Sequence, residues 1–231
     1  MDGQRRDRVR RLVAECAGQD QDGWGRAMAL VCLRAVGGVD AAALTLRTDS
    51  RGQEVIGTSD PRSFGLEDAQ YTLGEGPGVD AFRTGGPVLV ADVAADLGRW
   101  PAFGEAALAA GLAAVFAFPL RVGDIRLGTL DLYSRRLGGL TAADRVDAEL
   151  LADLAALALV ERAQQPGQGL RSAVTYQDVN IATGMLAAQL RISLDEAFAR
   201  LRAHAFATER SVLAVSRDVL ARELPLDRLV D

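Results

Sequence analysis

Apolar positions along the chain recur in distinct rhythms, and the rhythm changes at a few sharp places. Over residues 5–17, Val9, Leu12, Val13 and Cys16 share one face at helical spacing. Over 24–36, Met28, Val31, Cys32 and Ala35 do the same. Short runs rich in strand formers follow: AAALTLRT (41–48), QEVIGTS (53–59), PVLVADV (87–93), AVFAFPLR (114–121) and IRLGTLDLYS (125–134). Val122-Gly123-Asp124 links the last two as a tight turn, which predicts an antiparallel hairpin. In the final run the apolar phase shifts from Ile125/Leu127 to Leu130/Leu132, and Gly128 at the shift predicts a bulge. Residues 141–163 read as one long helix opened by Thr141-Ala142-Ala143-Asp144, a capping-box pattern with Asp in place of Glu. Strand runs bracketed by helices predict an α+β fold, an antiparallel sheet flanked by helices.

The pattern breaks at Gln164-Gln165-Pro166-Gly167-Gln168-Gly169, whose content reads as a linker. Beyond it the rhythm is helical throughout, with helices expected near 174–190, 193–208 and 211–223. Ser193-Leu194-Asp195-Glu196 forms a capping-box signature, and Arg191-Ile192 fills the preceding turn. Leu194, Ala197, Phe198, Leu201 and Ala205 make one buried stripe; Val212, Val215, Val219 and Leu220 make another, and Pro225 ends it. The chain is thereby divided into an N-terminal helical extension (1–19), an α+β domain (20–163), a linker (164–173) and a three-helix bundle (174–226). About sixty residues make a small core, so the bundle is expected to lean on a partner.

Composition removes several kinds of chemistry. The 231 residues are 49% apolar and 25% charged, as in an ordinary globular protein. No stretch of about 18 apolar residues occurs, and no apolar region follows the basic start MDGQRRDRVRRLVAEC, so a cytoplasmic location is expected. All 26 basic residues are arginine. Without lysine there is neither a Walker A loop nor a Schiff base. His204 is the single histidine, and Cys16 and Cys32 are the two cysteines, so no metal site, no cofactor and no catalytic triad are expected. Both thiols are expected to be reduced and structural. Residues 1–170 hold 18 Arg against 23 Asp and Glu, whereas residues 171–231 hold eight of each.

The segment VNIATGMLAAQLRISLDEAFARLRAHAFATERSVLAVSRDVLAREL resembles the ANTAR domain over roughly residues 174–225. Ala182, Gly184 and Met185 carry the likeness in the first helix; Ser193, Ala197, Leu201, Arg202 and Ala205 carry it in the second. Leu213 and Val215 do so in the third. The family commonly has Ala-Lys-Gly where this chain has Ala182-Thr183-Gly184, and alanine where it has Val215. Residues 20–163 resemble a GAF domain, through LGEGPGVDAFRTGGPVLVADV (73–93), RWPAF (99–103) and the hairpin ending in GTLDLYS.

The ANTAR resemblance implies binding of paired RNA hairpins in nascent transcripts, and hence transcription antitermination. Phosphate contact needs cations, and Arg191, Arg200, Arg202, Arg210 and Arg217 are available, with Thr183, Gly184 and His204 on the same elements. Arg210 and Arg217 fall about 20° apart on a helical wheel and so predict one stripe. The competing reading is a set of solvated arginines paired to Asp195, Glu209 or Asp218. His204 either stacks on a base or is a partly buried surface residue, and Tyr176 either stacks or packs between helices or against the linker. A neutral bundle predicts weak non-specific affinity, so two sites in a dimer are expected to supply strength.

The GAF resemblance implies a small-molecule sensing or dimerisation module. Tyr71, Phe82, Trp100, Phe103, Phe116 and Phe118 either line its cavity or fill the core. Gly74-Glu75-Gly76-Pro77-Gly78 reads as a tight turn into a short helix rather than a phosphate cradle. Residues 20–163 lack histidine for haem ligation and lack the Asn-Lys-x-Phe-Asp-Glu pattern of cyclic-nucleotide GAF domains, and Cys32 does not resemble a bilin-attaching cysteine. Val146, Leu150, Leu151, Leu154, Leu157 and Leu159 make the long helix apolar on more than one face, which predicts a homodimer through helices. A protein-interaction module without RNA binding is the second reading, and an enzyme the third.

Overall fold

The computed structural model of the protein describes residues 2–16, 21–48, 52–164 and 174–229. Two helices open the chain, α1 (Asp2–Ala14) and α2 (Gln21–Ala35), followed by strands β1 (Ala41–Arg47) and β2 (Gln53–Thr58). Helices α3 (Pro61–Leu73) and α4 (Pro77–Thr84), the short strand β3 (Val88–Val90) and α5 (Pro101–Ala109) come next. The hairpin β4 (Ala114–Val122) and β5 (Ile125–Ser134) leads into the long α6 (Ala142–Ala163). A two-residue strand, β6 (Val174–Thr175), precedes α7 (Gln177–Leu190), α8 (Leu194–Ala207) and α9 (Val212–Leu220), with a 3-10 turn at Leu226–Leu229.

The strands form one antiparallel sheet in the order β3-β4-β5-β1-β2-β6, flanked by helices, and a helical bundle closes the chain. This is the α+β class that the sequence implies. The expected bulge is present beside Gly128: Leu120 pairs with Gly128 but Arg121 pairs with Arg126, which leaves Leu127 as the extra residue. Gly128 is also required by a close approach. A Cβ there would lie 1.9 Å from the Thr45 carbonyl oxygen of β1.

Both faces of the sheet are covered. On one, α1, α2 and α6 bury a continuous apolar core that includes Val9, Met28, Cys32, Leu44, Phe116, Phe118, Leu132 and Leu151. Arg5 of α1 is tied to α6 by ion pairs with Asp144 (3.0 Å) and Asp147 (2.7 Å). On the other face, α3 and α5 pack Leu66, Trp100, Phe103 and Ala107 against Val115 and Tyr133. A third cluster joins the bundle to the α+β domain, because Val55 and Tyr71 pack with Tyr176, Phe198 and Leu201.

Several expectations shift. The 87–93 run contributes only β3, and the bundle begins with strand β6 rather than helix, so its first helix starts at Gln177. The last helix stops at Leu220, five residues before Pro225. The apolar spacing does not predict helices α3 and α5. Their start signals are nonetheless explicit: Asp60 caps Ser63 N in a full capping box with Pro61 in the first turn, and Pro101 follows Trp100. The boundary at 19/20 and the linker from 165 to 173 lie outside the described residues.

Candidate nucleic-acid face and interdomain pocket

In the bundle each helix is started by local chemistry. Ser193 accepts from Glu196 N at 3.1 Å, and Ser211 accepts from Ala214 N at 3.1 Å. The Ser193 box is only half made, because the Glu196 carboxylate pairs with Arg200 at 3.0 Å instead of returning to the cap. Helix α7 ends with Arg191 in the left-handed region, φ 56°.

These elements place the expected RNA-contacting residues in very different settings. Arg191 is exposed and has no ion pair among the described residues. Gly184 faces open space, whereas Thr183 is buried and its hydroxyl donates to the Val179 carbonyl at 2.7 Å. Thr183 is thus turned away from solvent, a correction that follows from its position on the packed side of α7. His204 lies half-buried in the last turn of α8. Arg210 and Arg217 do not form an open stripe. Arg210 precedes α9 and pairs with Asp218 at 2.7 Å, while Arg217 pairs with Asp178 at 3.1 Å.

Arg202 departs furthest from the expectation of an exposed cation. Its Nε and Nη2 donate to the Tyr71 carbonyl at 3.0 and 2.6 Å, and its guanidinium lies 4.8 Å from the Phe198 ring. The group rests against Gly74 (φ 71°), where a Cβ would come within 2.4 Å of Nη2. Burial lowers the Arg202 pKa, and the like charge of Arg47 adds to that. Two further bonds tie the bundle to α3. Val212 N donates to Thr72 Oγ1 at 3.0 Å, and Tyr176 Oη donates to Asp68 at 3.0 Å. Tyr176 is 1% exposed, with its ring 4.2 Å from that of Tyr71, so it packs between the two units. In this arrangement the cationic face that the sequence suggested is partly paired and partly covered.

The six proposed pocket aromatics also separate. Alternation along β4 turns Phe116 and Phe118 toward α2 and α6, on the opposite side of the sheet from Tyr71. Trp100 and Phe103 fill the α3/α5 core. Only Tyr71 and Phe82 border the cavity of about 610 Å³ found here.

That cavity lies where the β1–β2 end, the C-terminal end of α3, α4, the β4–β5 turn and α8 converge. Its inner wall is polar and buried: Arg47, Gln53 and Gln70 are 7%, 3% and 0% exposed. Arg47 donates to Gln53 Oε1 at 2.6 Å and to Glu67 at 3.2 Å, but its buried Nε has no partner. Glu67, fully buried, also accepts from Thr45 at 2.9 Å, Tyr133 at 2.6 Å and Gln70 at 3.3 Å. Beside it, burial and the Glu67 charge push the Asp131 carboxyl well above its ordinary range. Burial raises the Tyr133 phenol as well. The sequence reading missed this polar wall, although Thr129, Asp131 and Tyr133 announce it by recurring at every second position of a central strand.

The protein is thus an antiparallel sheet with helices on both faces, a buried polar wall and a docked helical bundle. The chain belongs to the GAF domain family, whose model matches residues 25–160, and it carries an ANTAR domain over residues 169–220. Among solved structures it resembles the GAF domain of a phosphoenolpyruvate-protein phosphotransferase from Acinetobacter. That likeness has 14% identity and a TM-score of 0.51, and covers 69% of this chain and 96% of that one. It also resembles the phycocyanobilin-bound GAF domain of a cyanobacterial phytochrome, with 15% identity and a TM-score of 0.51, covering 71% and 97%. At such identities the likeness establishes the fold. No curated protein matches the chain. ANTAR is an RNA-binding antitermination domain and GAF a sensory one, which fixes the general kind of function. Among the described residues no helix is long and apolar enough to cross a membrane, and no group of three potential metal ligands occurs.

Proposed function

We propose that the protein is a cytoplasmic, non-catalytic regulator in which a GAF sensor controls an ANTAR head that binds paired RNA hairpins and promotes antitermination. The ANTAR match over a three-helix unit carries this reading. The described state is the resting one. Arg202 is spent on the Tyr71 carbonyl, and α8 and α9 lie against α3, so RNA engagement requires the head to leave α3. The apparent affinity then scales with the fraction of released heads. Pairing two chains through α6, which exposes Val146 (48%) and Leu157 (50%), would supply two heads for two hairpins.

Gel-shift titration with a two-hairpin leader RNA tests the reading. Binding is expected to be salt-sensitive, and Arg202→Ala, which frees the head from Tyr71 but removes a phosphate contact, should reduce the salt slope by about 1. Thr72→Val, which removes the acceptor for Val212 N, should strengthen it. Equal affinity for scrambled stems would overturn the proposal. The ion pairs of Arg200, Arg210 and Arg217 favour a second reading, a protein-docking head without RNA contact. Recovery of the protein from its host with one stoichiometric protein and no RNA would support that alternative.

A further inference from the structure

The geometry points to a binding site for a small organic anion in the cavity between the two domains, with Arg202 of the head as one of its cationic contacts. The space of about 610 Å³ suits a small molecule, and it is shaped by both units. Tyr71, Val79 and Phe82 offer an apolar wall for the body of the ligand. The charged wall is unbalanced. Arg126 donates only to the backbone carbonyls of Phe82 and Arg83, and Arg202 donates only to that of Tyr71. Neither guanidinium has a carboxylate partner among the described residues. The Nε of Arg47, buried at the same cavity, is without any partner.

Other charges temper this excess without cancelling it. Arg47 has Glu67, Arg83 has Asp80 at 2.6 Å, and Asp124 stands among the lining residues. Asp80 is shared with Arg99, at 3.8 Å. Arg47 and Arg202 repel one another across a partly dry space, and an anion placed between them would turn repulsion into two attractions. Guanidinium forks suit carboxylate or phosphoryl oxygens equally, so the shared chemistry is a multiply charged oxyanion on an apolar body.

An anion that touches Arg202 as well as the GAF arginines binds the docked arrangement better than the released one. By linkage it holds the head down, and under the RNA-binding reading it opposes RNA by the same factor as RNA opposes it. That corollary rests on the proposed function; the site itself does not.

Thermal unfolding of the full chain without RNA, at constant ionic strength, tests the site. The probes are phthalate, inorganic pyrophosphate and neutral benzyl alcohol. Phthalate or pyrophosphate should raise Tm by about 3–5 °C at roughly tenfold excess over half-saturation. The rise should vanish in Arg126→Gln and in Arg202→Gln, and persist in Arg191→Gln, which lies outside the cavity. Phthalate acting alone identifies carboxylates, and pyrophosphate alone identifies phosphoryl groups; either supports the site. No rise with either anion, an equal rise with benzyl alcohol, or an unchanged rise in Arg126→Gln would overturn it. A rise lost in Arg126→Gln but kept in Arg202→Gln would overturn the role of the head. Because no RNA is present, failure here leaves the antitermination reading to stand or fall separately.

Discussion

The two faces of the sheet differ in kind, and strand β5 displays both. Leu130 and Leu132 point into the apolar core under α2 and α6, while Thr129, Asp131 and Tyr133 point to the side that carries α3 and α4. All five are fully buried. The first side is a packing surface where shape alone matters. The second holds a carboxylate with four donors, an arginine short of a partner and a carboxyl forced toward neutrality. Polar atoms in a dry place cost stability unless they are satisfied. Their concentration on one face marks where the protein gives up packing for recognition.

Substitutions on each face can break or sharpen that contrast. The largest effect is expected on the apolar side. Leu132→Ala should lower unfolding stability by about 2–5 kcal/mol in denaturant titration, without changing pocket ligands. A loss under about 1 kcal/mol would mean that this face is not tightly packed.

Asp131→Asn should expose the polar side through pH. The wild-type carboxyl keeps its proton in the folded state above its ordinary value of 3.8, where the unfolded chain releases it. The folded form then binds more protons, so wild-type stability falls as pH rises above that value. The Asn variant lacks this decline and should gain on the wild type by up to roughly 1.4 kcal/mol per pH unit. Parallel stability curves from pH 4 to 7 would contradict a displaced Asp131. The smallest effect belongs to the contact between domains. Tyr176→Phe removes the donor to Asp68 and should cost about 1–2 kcal/mol, visible as faster hydrogen exchange in α7.

Much of this fold could be read from the chain because its cues are local. The hairpin, the bulge beside Gly128 and the cap at Thr141 depend on neighbours in sequence. Helix α3 is not legible from spacing, since its apolar residues do not fall in a clean stripe, although Asp60-Pro61 marks its start. The candidate site was far less legible. Size alone groups Phe116 and Phe118 with Tyr71, whereas alternation sends them to the other face. Arg126 and Arg47 carry no local signal, because their meaning comes from neighbours in space. Among the described residues Arg126 meets backbone carbonyls and no carboxylate, and Arg47 meets Glu67 but leaves its Nε without a partner. The burial of Arg202 depends on Tyr71, 131 positions away, and no periodicity reports such a contact.

Strand β6 bears on the proposed release of the head. Val174 and Thr175 extend the sensor's own sheet by pairing with Val55 and Glu54. If they are pulled away with α7, β2 becomes an open edge whose amides and carbonyls seek a new ladder. Undocking would therefore strip a seam of main-chain bonds together with one guanidinium contact and two tilted ring contacts on Tyr71. Such a latch favours two discrete positions over a gradual swing.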